Sequence, residues 1–228
     1  MEIEIGIILA DLFFPILEYL APHVPGEYFP NFFNGETQAL QRSLLGSLMV
    51  TVIAGFLGSF LLVRNLAMIG DGLAHVAFGG VIIGIILGAS SPLWYAMLFS
   101  VIASISIYEL QSREILTGDA SIAIFMTGML ALGLVILKLS GRAISTEIHS
   151  YLFGSQLLID WESLSLLSYI TIISISMLFF LRHGLLAITI DPLSARVQGL
   201  PVRGIGLMFS IIIAIVVVGM VKIVGALL

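Results

Sequence analysis

Charged residues are sparse enough in this chain to act as markers between long apolar runs. Ser43–Val63, between Arg42 and Arg64, carries none. A helix that crosses a bilayer needs about 20 mostly apolar residues, because the hydrocarbon core is about 30 Å thick and a helix rises about 1.5 Å per residue. Ser43–Val63 has that length. After Asp71 the chain stays uncharged from Gly72 to Tyr108, interrupted only by His75. That run is too long for one span. Ala89-Ser90-Ser91-Pro92 divides it, since proline disfavours helix at the residue before it. The pattern predicts spans near Leu66–Gly88 and Leu93–Tyr108, and further ones near Ala120–Leu137, Ser163–Leu181 and Gly204–Val221. These make six in all. Ile223–Leu228 reads as an apolar stub too short to cross.

The N-terminal run Ile5–Leu20 is apolar but carries Asp11, Pro15 and Glu18. The first basic residue of the chain is Arg42, so the basic n-region of a signal peptide is missing. An interfacial or poorly inserted helix is expected there, followed by an exposed loop over residues 21–41. The division is then an N-terminal segment over 1–42 and a transmembrane domain over 43–228. The fold class is all-α: a polytopic bundle of membrane helices.

Composition agrees with a lipid solvent. Hydrophobic residues make up 59% of the 228 residues and charged residues 10%, against about 45–50% and about 25% in soluble domains. Nine Lys/Arg and fourteen Asp/Glu cannot cover the surface of a soluble protein of this size. The net charge of −5 leaves no basic surface for nucleic acid. Cysteine is absent, which removes disulfides, thiolate metal sites and cysteine nucleophiles. Basic residues set orientation through the positive-inside rule. Arg64, Arg113, Arg182, Arg196 and Arg203 fall on one side, Arg42, Lys138, Arg142 and Lys222 on the other. The compact cluster at 182–203 assigns the first side to the cytoplasm.

Asp71 and His75 stand four residues apart in the second predicted span, so both side chains leave one helix face. Counted along an unbroken helix from Arg64, His75 lies roughly 16 Å deep, near the midplane. Ionisable groups at that depth are costly and usually functional. A carboxylate and an imidazole together suit zinc, manganese or ferrous iron better than calcium or magnesium. Two ligands do not complete a shell, and a two-fold axis beside this helix would bring a second pair. Gly72, Gly80, Gly84 and Gly88 recur at multiples of four and form a small-residue packing ridge next to the pair.

The segment Asp191–Gly199 reads as a short helix with both ends encoded. Asp191 is an N-cap, Pro192 the first helical residue, Gly199 the residue after the last turn, and Pro201 a block to continuation. Leu193, Val197 and Leu200 form an apolar stripe. A helix of this kind either lies on the membrane surface or docks another subunit. Glu147 and His149 read as loop residues, Asp119 as a cap, and His23 and His183 as exposed. Neither lysine sits in a Gly-rich phosphate loop, and His-Glu-x-x-His does not occur. No nucleophile–base set suggests an intramembrane enzyme, so any energy source belongs to another subunit or is absent. From these residues alone, a stand-alone secondary transporter or channel for a divalent cation stays open, although no internal repeat supports it.

The runs Gly55-Phe56-Leu57-Gly58-Ser59-Phe60-Leu61-Leu62-Val63-Arg64-Asn65 and Gly70-Asp71-Gly72-Leu73-Ala74-His75 resemble the membrane permeases of ABC importers for zinc, manganese and iron. Ala131-Leu132-Gly133-Leu134, Tyr151-Leu152-Phe153-Gly154 and Lys222-Ile223-Val224-Gly225-Ala226-Leu227-Leu228 are similar to further motifs of that family, in the same order over about residues 43–228. The resemblance implies an importer of divalent transition metal, zinc first and manganese or iron as alternatives, with no permanently bound cofactor and no enzymatic activity in this subunit. It implies Asp71 and His75 in the metal path, and Asp191, Leu193, Ala195, Arg196, Val197 and Gly199 in a cytoplasmic coupling segment. It also implies a homodimer of permeases, cytoplasmic ATP-binding subunits, an extracytoplasmic metal-binding protein and a prokaryotic plasma membrane. The family usually continues past the Val-Gly-Ala-Leu motif with about two more helices, so a C-terminally truncated permease is expected.

Overall fold

The computed structural model describes residues 5–25, 29–33, 38–89, 91–141, 146–154 and 159–226. Among them every regular element is a helix: α1 (Ile5–Leu20), α2 (Gln38–Val63), α3 (Ile69–Ile86), α4 (Pro92–Ser112), α5 (Gly118–Leu139), α6 (Thr146–Phe153), α7 (Trp161–Ile190), α8 (Pro192–Val197) and α9 (Val202–Val224). The chain is an all-α polytopic membrane protein. Among the described residues, seven helices are long and apolar enough to cross a bilayer by length and composition.

The seventh is the N-terminal one, the run expected from its charges to be interfacial or poorly inserted. With the 3₁₀ turn Ala21–His23 it reaches 19 residues, and its acids Asp11 and Glu18 both lie on its exposed side. Gly6 and Ala10 are buried, and a side chain at Gly6 would strike Ser165 of α7. The 21–41 region is not simply an exposed loop. Ala21 is buried, and α2 starts early enough for Gln41 to be buried and donate from Nε2 to the Phe33 carbonyl at 3.0 Å.

Elsewhere the helices overrun the predicted spans. At about 1.5 Å per residue, the 30 residues of α7 reach about 45 Å, well beyond the hydrocarbon core. Arg182 and His183 therefore sit on a helix, where the Arg182 guanidinium lies 4.1 Å from the Phe179 ring centroid. The Glu147–His149 segment belongs to α6, with the His149 and Phe153 rings stacked at 4.7 Å. Thr117, not Asp119, caps α5, its hydroxyl accepting from the Ala120 amide. The predicted stub is partly the end of α9, which runs to Val224.

Small residues and buried hydroxyls let the helices close on a core of large aliphatic side chains. Without water, membrane helices associate through close backbone approach and interhelical hydrogen bonds. α3 lies at the centre, packed on α4, α5 and α9. Ser104 of α4 donates to the Ser210 carbonyl of α9 at 2.6 Å, and Ser100 of α4 to the Leu73 carbonyl of α3 at 3.4 Å. Phe209, fully buried on α9, meets Phe60 of α2 edge-on at 6.1 Å.

Candidate functional site

α2 and α3 are joined by the tight turn Arg64–Met68, in which Asn65 takes a positive φ of 54°. This turn resets the depth count made from Arg64. Asp71 is the third residue of α3 and His75 the seventh, about 9 Å along a helix about 27 Å long. The pair lies in the first half of the helix rather than at its middle. Burial holds the Arg64 guanidinium below its usual pKa, against the opposing influence of Tyr108. Its charge sits 5.5 Å from the Phe209 ring centroid.

The i, i+4 spacing does bring the pair together. His75 Nε2 lies 3.6 Å from Asp71 Oδ1, with side-chain exposures of 13% and 56%. Nδ1 of His75 is buried and has no hydrogen-bond partner among the described residues. Asp71 opens into a cavity of about 340 Å³ between α2, α3 and α9, where Val50, Ala54, Ala74, Val217 and Met220 also contribute wall. It is the one carboxylate in an otherwise apolar lining. An acceptor-only oxygen pair and an imidazole with an unengaged nitrogen can together ligate a cation. No third His, Asp or Glu joins them among the described residues, so one copy supplies an incomplete shell.

The glycine ridge divides between neighbours within the chain. Gly72 faces Ile122 of α5, whereas Gly80 and Gly84 face Ala96 and Pro92–Tyr95 of α4. Gly88 does not join this packing. It lies beyond the end of α3 at φ +73°, with open space around it, and closes the helix before Ala89. The reading along multiples of four overlooked Gly79, which is pressed against Gly133 and Met129 of α5.

α8 carries both predicted caps. Asp191 Oδ1 accepts from the Leu193 amide at 2.9 Å and the Ser194 amide at 3.1 Å, and Gly199 takes φ +82°. The Ser194 hydroxyl also donates to Asp191, and these bonds hold its carboxyl below the usual carboxylate range. Ala195 is the buried residue of the helix, while Leu193 and Val197 stand 72% and 86% exposed. Leu200 turns inward against the core instead of extending the outer stripe. Arg196 is exposed.

The profile of the ABC 3 transport family matches residues 36–228. The chain belongs to this family. It is 30% identical over 193 residues to the manganese transport system membrane protein MntC of Halalkalibacterium halodurans, covering 83% of this chain and 64% of that protein. It is 29% identical over 193 residues to the manganese import system permease protein ScaB of Streptococcus gordonii, covering 83% of this chain and 67% of that one. Among solved structures it is similar to PsaBC from Streptococcus pneumoniae in complex with Fab, with a TM-score of 0.72 and 25% identity over 87% of this chain and 72% of that one. The chain thus spans about two thirds or less of the length of the curated relatives it matches.

This ABC 3 family chain also joins residues whose partners spacing could not reveal. Lys222 Nζ donates to Ser163 Oγ at 2.6 Å and lies 3.8 Å from Asp160, the N-cap of α7. Burial raises the Asp160 pKa, but the Ser163 hydrogen bonds and Lys222 outweigh it and leave the group below its ordinary value. Beside this cluster the Tyr151–Gly154 motif meets the Val224–Ala226 motif backbone to backbone. The Ala226 amide donates to the Tyr151 carbonyl at 3.0 Å, and Gly154 and Gly225 take φ values of +72° and +91°. Both motifs were visible in the sequence; their contact was not.

Proposed function

We propose that this chain is the membrane permease subunit of an ATP-driven importer of a divalent transition metal, with manganese as the cargo. The observation that carries the reading is the Asp71–His75 pair at the α2–α3–α9 cavity, in a chain of a transport family. Two copies related by a two-fold axis supply two carboxylates and two imidazoles, a set that suits manganese as well as zinc. The family resemblance alone put zinc first, while the ligand chemistry left zinc, manganese and ferrous iron open. The manganese in the names of MntC and ScaB moves manganese ahead of zinc.

In this reading the metal is delivered by an extracytoplasmic binding protein, enters between the two permeases, and is held in passing by Asp71 and His75. Cytoplasmic ATPase subunits dock on α8 through Leu193 and Val197, the apolar side chains that face outward there. The subunit lies in a prokaryotic plasma membrane. A secondary carrier is the weaker alternative, because a proton-coupled route calls for further buried ionisable groups and no group of three His, Asp or Glu gathers among the described residues.

The test is metal uptake by vesicles holding the full-length permease with its ATPase. ATP-dependent manganese accumulation is expected, lost in Asp71→Ala and His75→Ala at unchanged membrane insertion. Robust uptake by the permease alone on a proton gradient would transfer the assignment to the secondary carrier.

A further inference from the structure

The α8 end of the bundle carries a second charged feature, apart from the Asp71–His75 cavity. Glu109, in the last turn of α4, accepts from Arg113 Nε at 3.0 Å and from Arg203 Nε and Nη2 at 2.9 and 2.6 Å. Glu109 is 22% exposed, whereas Arg113 and Arg203 keep 64% and 67%. One carboxylate therefore anchors two guanidinium groups whose outer edges remain free to donate. Arg196 of α8 joins them around a cavity of about 340 Å³, completed by Tyr108 and Ser112. Arg196 has no ion pair among the described residues. Three arginines against one glutamate leave the cavity with a formal charge of +2.

What adjoins the cavity indicates the ligand. Ile102 and Leu98 precede Glu109 by seven and eleven residues, spacings that share one helix face. Both are exposed, at 51% and 55%. They lie about 10 and 16 Å from Glu109 along α4, which is the depth of one half of a hydrocarbon core about 30 Å thick. The charged cavity thus sits at the end of a helix face that exposes Ile102 and Leu98 at acyl-chain depth.

We propose that this cavity binds the phosphate group of an anionic phospholipid, with an acyl chain lying along Ile102 and Leu98. Guanidinium forks match phosphate oxygens in pairs. The net charge answers a phosphodiester with surplus attraction, and Tyr108 is of the aromatic type enriched at the membrane–water boundary. An acidic segment of a protein would use the arginines but has no use for an apolar stripe running away from them into the bilayer. Free phosphate would not use it either. The inference requires only that α4 spans the membrane, and it holds whichever metal the chain carries.

The test uses the purified full chain in micelles of an uncharged detergent, with lipid binding followed by native mass spectrometry. Phosphatidylglycerol and phosphatidylcholine of identical chains are titrated in parallel. Phosphatidylglycerol should bind saturably and at least tenfold more tightly, and more weakly as salt rises from 50 to 500 mM. The double variant Arg113→Ala/Arg203→Ala should lose roughly 25-fold, about fivefold per arginine, while phosphatidylcholine is unaffected. Lys138→Ala, which removes a charge elsewhere, should change nothing. If the double variant does not fold, Arg196→Gln, with an expected loss of about fivefold, and the wild-type salt dependence take its place. Equal affinity for the two lipids, a salt-independent preference, or unchanged binding by the arginine variants would each overturn the proposal. So would displacement of the lipid by millimolar inorganic phosphate, which marks a free-phosphate site. Loss of ATPase association with lipid binding intact would overturn it too, marking a protein contact.

Discussion

Replacing Gly80 by alanine tests whether the glycines of α3 set its position. A methyl group at Gly80 would stand 2.8 Å from Ala96 Cα, 2.9 Å from the Tyr95 carbonyl oxygen and 3.0 Å from Ala96 N. All three atoms are α4 backbone, so no rotamer change relieves the contact. Carbon atoms rest at about 3.5–4.0 Å, so α3 and α4 must part by roughly 0.7–1 Å at this level. Overpacking of that kind costs about 1–3 kcal/mol. Alanine in a helix returns about 0.5–1 kcal/mol relative to glycine. The net expectation is a loss of about 0–2.5 kcal/mol. Gly128 of α5 is the control, because nothing lies within 4 Å of a methyl group there. Gly128→Ala should keep the propensity gain without the clash. Unfolding of both variants in detergent micelles, each compared with wild type, gives the answer: Gly80→Ala should melt below wild type and Gly128→Ala at or above it. Equal stability of the two variants would refute the claim that backbone contact at Gly80 positions α3.

Asp71→Asn should reduce manganese uptake at least tenfold with insertion unchanged, since the amide keeps the shape but loses the charge; radiolabelled manganese accumulation reads this out. Leu193→Asp and Val197→Asp should each break co-purification with the ATPase, because an unpaired charge buried at an interface costs several kcal/mol. Wild-type stoichiometry in the pull-down would leave α8 as a membrane-surface helix. Gly199→Val should weaken the same coupling, because φ +82° is strained for a β-branched residue, and ATP turnover per metal transported measures it. The Asp191 carboxyl titrates below its ordinary value when folded. The stability this linkage adds is therefore fully present above the unfolded value of about 3.9 and is lost as pH falls through the lower folded value. Amide exchange at Leu193 and Ser194 should stay slow through pH 4 and accelerate only below it.

Much of the fold was legible because lipid permits few solutions. A spanning segment must satisfy its own backbone, so apolar length alone implies helix. The break at Ala89–Pro92 and both ends of α8 were equally readable, because proline and cap residues act locally. What misled was the use of charge as a boundary. Arg182 and His183 lie on α7, not past its end, because a helix continues into water as readily as it ends there. Asp11 and Glu18 both fall on the exposed side of α1, while Gly6 and Ala10 are buried. Of the site, the Asp71–His75 contact followed from helical spacing. The cavity beside it did not, since Val217 and Met220 come from a helix some 140 residues away in sequence. Separations of 59 and 94 residues likewise hid the bonds of Lys222 to Ser163 and of Glu109 to Arg203. Long-range pairing of this kind leaves no period to read.

If α8 docks the ATPase as proposed, the arrangement of α8 and α9 offers a route from that contact to the Asp71 cavity. α8 is anchored to the bundle through Ala195, which shares a core cluster with Leu185 and Ile188 of α7 and Ile205 of α9. Three residues, Gln198 to Leu200, and the N-cap Pro201 separate α8 from α9. All three are tied back by their amides, Gln198 to Ser194, Gly199 to Arg196 and Leu200 to Ala195. The connection therefore has little slack. α9 spans 23 residues, about 35 Å as a helix. It carries Arg203 at one end and, toward the other, Val217 and Met220 in the wall of the Asp71 cavity. A rod of that length tilts as a unit more readily than it bends, so a small displacement at α8 becomes a change in width at the cavity. α3 cannot follow that tilt freely, because Gly79 and Gly80 lock it to α5 and α4. In the proposed importer, the gap between α9 and α3, where Asp71 faces the cavity, would then be the place where motion and ligand meet.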